Sequence, residues 1–269
     1  MSTASSVPTR DGAHRPDHPQ PMLPANLRDL GGLALEDGTR TRTRVALRSD
    51  DLTRADRVTA TDLVSRYGIG DVIDLRNHTE LARLGRAATY ELPVRHHHLP
   101  ISLDVGTTRG RVCLALPTTP QELGRLYART VERAALPLRF AVEVVAEARA
   151  AVVFHSVAGK DRAGLLAALL LTAVGVEPDA ILDDYTRTSE NLPSLRASVL
   201  GPDAGVGGAI EGPPIDVLPA MMLSAPREAM RVCLTTLTVE HGSPLGPLVD
   251  VGLRPQTLEL LRERLVETR

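Results

Sequence analysis

The segment Ala151-Val-Val-Phe-His-Ser-Val-Ala-Gly-Lys-Asp-Arg-Ala-Gly164 joins a short apolar run to a tight turn of small residues, Ser156, Ala158 and Gly159. A long apolar helical pattern, Leu165 to Val174, follows at once. Strand, small-residue turn and helix N-terminus together are a recurring way to hold a phosphate. Backbone N–H groups converge on the anion, and the helix dipole favours negative charge there. Lys160 and Arg162 add positive charge, and the guanidinium fork can grip two phosphate oxygens at once. Lys160 is also the only lysine in a chain that otherwise uses arginine. A lone lysine inside this turn reads as a chemical requirement for a compact cation.

The bulk properties narrow the classes. At 269 residues, with 43% hydrophobic content and a net charge of −2, the chain is long enough to bury a sizeable core and presents no basic face for nucleic acid. Aromatic residues make up 2% and tryptophan is absent, so the core must be built from Leu, Val and Ala. No apolar stretch is long enough to span a bilayer, so no stable membrane insertion is expected. Met1 to Arg10 lacks an apolar signal core, and a cytoplasmic location is the default expectation. Cys113 and Cys233 have no metal-ligand spacing and read as small buried hydrophobes.

Residues 1–22 are rich in Ser, Pro, His and Arg without periodicity and read as a disordered tail, leaving 23–269 as a single domain. Strands are expected at Arg44–Arg48, Asp71–Arg76, Leu92–Ile101 and Ala151–Phe154. Helices are expected at Thr61–Tyr67, closed by Gly68, and at 121–135, 138–149, Leu165–Val174, Asp179–Arg187, 225–240 and 255–267. Gly- and Pro-rich segments at 103–120 and 201–219 read as loops, the second as a mobile connection or lid. Strands alternating with helices predict an α/β fold with a mostly parallel central sheet. The phosphate turn would lie at the carboxyl end of a central strand.

The turn resembles the His-Cys-x-x-Gly-Lys-Asp-Arg loop of cysteine-dependent phosphatases, with Ser156 where the cysteine would stand. Asn26-Leu-Arg-Asp-Leu-Gly-Gly32, Leu47-Arg-Ser-Asp50, Val72-Ile-Asp-Leu-Arg76 with Glu80, and Asp183-Asp-Tyr185 fall in the order of the bacterial tyrosine-phosphatase-like proteins. The resemblance runs from about residue 24 to the C-terminus. It implies a cysteine-phosphatase fold with a helical lid, a covalent phosphoenzyme mechanism and no metal or other cofactor. It also implies a phosphorylated small molecule or phosphoprotein as partner. Ser156 takes the nucleophile position and Arg162 the phosphate clamp. The backbone of Val157, Ala158, Gly159, Lys160, Asp161 and Arg162 forms the cradle. His155 orders the loop.

Two carboxylates compete for the role of general acid. Asp161 lies in the turn and is preferred because it would stand beside the phosphate, whereas Asp74 is equally readable as a structural partner of Arg28 or Arg76. Arg28 and Asp29 read as residues that tie the Gly31-Gly32 turn to the sheet. His96 and His98 share one face of a strand and could line the substrate rim. Arg125, Arg129 and Arg133 read as a solvated helical stripe. A thiolate in such a loop is ionised near neutrality, whereas a serine hydroxyl stays protonated and needs an adjacent base. Ala163 also replaces the hydroxyl residue often found after the loop arginine. Three functions therefore stand side by side: a phosphatase impaired or made substrate-trapping by Ser156, a natural pseudophosphatase that binds a phosphorylated ligand, and different chemistry on a phosphorylated metabolite.

Overall fold

A computed structural model describes residues 24–103, 116–200 and 220–268. The expected tail 1–22, most of the 103–120 loop with Cys113, and the lid segment 201–219 lie outside the described residues. Five strands form one sheet: β1 (Arg28–Asp29), β2 (Ala46–Ser49), β3 (Ile69–Asp74), β4 (Arg95–His98) and β5 (Ala151–His155). Their order is β1-β2-β5-β3-β4, with only β1 running antiparallel to its neighbour. The expected α/β class with a mostly parallel central sheet flanked by helices is the class observed.

Strand limits follow local chemistry. β4 is shorter than Leu92–Ile101 because Pro93 and Pro100, which cannot donate to a ladder, flank it. β2 starts two residues late because Arg44 takes a left-handed φ of 58°. Along β5 the side chains alternate between two apolar clusters. Val152 and Phe154 face the main core, and Ala151 and Val153 join Leu47, Leu52, Ile69, Val72 and Ala87 on the other side. That second cluster is covered by Val64 and Tyr67 of α1 (Arg57–Tyr67). Gly68 ends α1 in the left-handed conformation, as its position in the sequence predicts.

α2 (His78–Leu84) adds no side chain to the main core, which draws instead on α3 (Pro120–Arg133), α4 (Ala135–Glu147), α5 (Asp161–Val174), α6 (Pro178–Leu200), α7 (Arg227–His241), α8 (Gly246–Asp250) and α9 (Pro255–Leu265). α4 takes Pro137 into its first turn, where the missing N–H breaks no intrahelical bond. α6 runs well beyond the expected Arg187, and α8 was too short to leave a periodic signal. α5 is buried nearly all round, with Leu165, Leu166, Leu169, Leu170 and Leu171 each at most 1% exposed. Each such leucine contributes about 1.5–3 kcal/mol by burial. Cys233 of α7 is also fully buried, which pushes its thiol pKa up.

Two consequences position the candidate site. First, register sets Ser49, His155, Asp74 and His98 side by side along the carboxyl edge of the sheet. Second, α5 begins at Asp161 rather than at Leu165, so Asp161 and Arg162 lie in its first turn. An acidic residue is favoured at that end by the helix dipole.

Candidate functional site

The turn between β5 and α5 is shaped by what holds its carbonyl groups. The Val157 carbonyl accepts from the Asp51 N–H at 3.2 Å. Asn26 Nδ2 donates to the carbonyls of Ala158 and Gly159 at 3.2 and 3.0 Å. Arg48 Nη2 donates to those of Gly159 and Lys160 at 2.7 and 3.2 Å. With its oxygens drawn outward, the turn directs its N–H groups the other way. Among the described residues, the amides of Val157, Ala158, Gly159, Asp161 and Arg162 have no protein acceptor. No side chain caps α5 either, so its first-turn donors are free for a ligand.

Gly159 makes this path possible. Its φ is 62° and that of Lys160 is −91°, a pair of opposite-handed residues with the backbone geometry of a nest of N–H groups. A Cβ at Gly159 would stand 2.6 Å from the Ser49 carbonyl oxygen, so the turn packs directly on the end of β2.

Arg162 is steered by Glu80. The Glu80 carboxylate takes Nη1 through Oε2 and Nη2 through Oε1, the latter at 2.8 Å. The carbonyls of Leu75 and Ile101 lie 3.5 and 3.4 Å from Nη1. Glu80 is itself fixed by a capping box with Asn77 at the start of α2. Among the described residues the Nε–H of Arg162 has no acceptor, so the guanidinium is braced and still able to donate.

Asp161 and Lys160 sit on the opposite flank. Asp161 Oδ1 accepts from the Tyr127 hydroxyl and pairs with Lys160 Nζ at 3.1 Å. Tyr127 and Tyr185 hydroxyls are 2.9 Å apart, both rings are buried, and burial pushes both phenols well up. Lys160 Nζ also donates to the Ser224 carbonyl at 3.1 Å, so the lone lysine is buried beneath the segment leading into α7.

Asp74 is the ion-pair partner of Arg76, which donates through Nε and Nη2 at 3.0 and 2.6 Å and also reaches Asp51 at 3.2 Å. Burial alone would raise the Asp74 pKa, but the His155 imidazole and the Arg76 guanidinium overrule it and hold it at about 2. His155 is fully buried, with its pKa lowered chiefly by desolvation and its Nε2 3.7 Å from Asp74 Oδ1. Arg28, the other candidate partner of Asp74, instead binds Asp184.

The histidines of β4 are each engaged. His96 bonds the Thr89 carbonyl at 3.0 Å and stacks on Tyr90, and His98 bonds the Arg76 carbonyl at 2.8 Å. His97 bonds Asp71 at 2.8 Å. The stripe of Arg125, Arg129 and Arg133 lies exposed on α3, away from Tyr127.

The sequence reading left Glu80, Tyr127 and Asp184 out of the site. Glu80 carried a signal, since Asn77 three residues earlier writes a capping box beside Arg76. Asp184 and Tyr185 stood in a quoted motif without a role. Tyr127, inside an amphipathic helix, had none.

These features define an α/β protein in which a tight turn with outward-tethered carbonyls feeds a buried helix. A model of the tyrosine phosphatase family matches residues 23–267, and the chain belongs to that family. The triple specificity protein phosphatase PtpB of Mycobacterium tuberculosis is 31% identical over 199 residues, covering 65% of this chain and 70% of that protein. A tyrosine-protein phosphatase of Nostoc commune is 29% identical over 217 residues, covering 80% and 70%. Among solved structures, the catalytic core of Siw14 aligns with a TM-score of 0.38 at 16% identity, over 63% of this chain and 78% of that one. No helix among the described residues is long and apolar enough to cross a membrane.

Proposed function

We propose that this chain takes the phosphate group of a phosphomonoester, on a small metabolite or a protein, into the turn 155–164. The observation that carries the reading is the outward tethering of the Val157 to Lys160 carbonyls, which leaves the amides on the other side to an anion. Arg162, braced by Glu80, clamps two phosphate oxygens. Ser156 occupies the position from which a nucleophile would attack phosphorus. A serine hydroxyl stays protonated there, and the buried His155 turns its Nε2 toward Asp74, so hydrolysis by this form is slow or absent. Asp161 is the general acid of the proposal. Lys160 and Tyr127 occupy its Oδ1, and Oδ2 is left to hand a proton to the leaving oxygen. Asp74, held ionised at about 2, serves to fix Arg76 instead.

A second reading has a specific feature in its favour. Ser156 and Ala163 stand together in place of a thiol and a hydroxyl, the pattern of a pseudophosphatase that retains its ligand. Phosphate release from an aryl phosphate, measured for this chain and for Ser156→Cys side by side, separates the cases. Activity gained only with Cys supports a phosphatase site silenced by Ser156. No release by the Cys form, despite phosphate binding, favours the binding module.

A further inference from the structure

The carboxylate of Asp184 on α6 holds two buried arginines at once. Its Oδ2 accepts from Arg48 Nη1 at 2.5 Å and its Oδ1 from Arg28 Nε at 2.7 Å, and the Asp184 carbonyl accepts from Arg28 Nη2 at 2.7 Å. The side chains of Arg28, Arg48 and Asp184 are only 8%, 0% and 3% exposed. Each arginine then passes its orientation to the turn. Arg48 uses Nη2 on the Gly159 and Lys160 carbonyls. Arg28 donates Nη1 to Asn26 Oδ1, which aims Asn26 Nδ2 at the carbonyls of Ala158 and Gly159. Both routes into the turn start from one carboxylate.

We infer that Asp184 is a positioning residue for the anion site, acting through Arg48 and through the Arg28–Asn26 pair. The inference rests on the phosphate reading of the turn. A peptide plane in a short turn can present its N–H or its C=O inward, and an inward C=O repels an anion. Tethering successive carbonyls outward selects the N–H-inward form before the ligand arrives, so binding need not supply the ordering. Arginine suits the task because one rigid fork spans the carboxylate and two carbonyls, which a lysine ammonium cannot match. Asp184 neutralises one of the two cations, and their combined excess charge stays directly behind the turn. Burial alone would raise the Asp184 pKa, but Arg48 and Arg28 reverse this and hold it ionised.

Calorimetric titration of inorganic phosphate into the full chain carrying Ser156 tests this without requiring turnover. The expected result is roughly tenfold or greater weakening in Asp184→Asn, the size of a lost charge-assisted contact. Arg48→Lys should weaken binding less, and adding it to Asp184→Asn should cost nothing further. Asp183→Asn, whose exposed carboxylate pairs with Arg227, should bind as the parent does. A general loosening of the fold would instead give additive losses, and that result overturns the inference. Unchanged affinity in folded Asp184→Asn overturns it as well. Should Asp184→Asn fail to fold, Arg48→Lys and Asn26→Ala sample the two routes separately, and full affinity in both is equally decisive against it. Absence of phosphate binding by the parent chain removes the underlying phosphate reading, and the inference with it.

Discussion

The carboxylate of Glu80 grips both terminal nitrogens of Arg162 while capping the N-terminus of α2 through Asn77. One side chain thus links helix formation to the aim of the guanidinium. In Glu80→Gln the cap survives in part but the ion pair does not. Breaking a buried pair from one side costs about 3–5 kcal/mol, so urea unfolding should show a loss of several kcal/mol. Phosphate affinity should fall with it. Unchanged affinity would mean that Arg162 is aimed by the carbonyls of Leu75 and Ile101 alone.

Gly159→Ala places a methyl group against the end of β2 and forces a left-handed backbone on a residue that disfavours it. Stability should drop by more than about 2 kcal/mol, and phosphate binding should weaken with it. Thermal unfolding of the variant at the parent's temperature would contradict this account of the turn.

Two of the buried carboxylates, Asp74 and Asp50, give opposite pH signatures. Asp74 has its folded pKa depressed to about 2 from 3.8, so its stabilisation is complete above about pH 4 and is lost as pH falls toward 2. It amounts to about 2 kcal/mol, which Asp74→Asn should abolish along with the acid dependence. Asp50 is raised to about 6 by burial, which outweighs the lowering effect of the Asn26 and Ala25 amide donors. Its folded form binds the proton more tightly, so stability falls as pH rises from 4 to 6. Relative to the parent, Asp50→Asn should gain up to about 3 kcal/mol across that interval in denaturant titrations at fixed pH.

Tyr127→Phe removes a donor from Asp161 and leaves the packing of the ring intact. In a Ser156→Cys background, phenyl phosphate hydrolysis should slow by about tenfold or more, because a poor leaving group needs the proton most. Nitrophenyl phosphate, with its better leaving group, should be affected far less. Equal slowing of both would assign Tyr127 to structure and not to the acid.

The turn, its strand and its helix were legible because each is written in a few adjacent residues: Ala151–Phe154, the small residues up to Gly159, and the leucines after Arg162. The sheet was legible in class but not in order, since nothing local says that β5 lies between β2 and β3. Two boundaries moved for reasons present in the sequence, the prolines around β4 and the acidic first turn of α5. The partners of the turn were a different matter. Arg48 lies 136 residues before Asp184, and only the packing of α6 on α5, which itself lies against β2, brings them together. Tyr127 meets Asp161 in the same way, through a side chain whose sequence context reads only as core.

Cys233 lies at the centre of the α7 packing, fully enclosed and with its thiol far from ionisation, while the turn that could have carried a thiolate carries Ser156. Peroxide attacks thiolates in proportion to their charge and access. The described part of this molecule offers it no such target, so the phosphate binding proposed for the turn should persist under oxidant levels that would convert an exposed loop cysteine to a sulfenic acid. Reinstating a cysteine at position 156 would therefore bring in both a nucleophile and a redox liability.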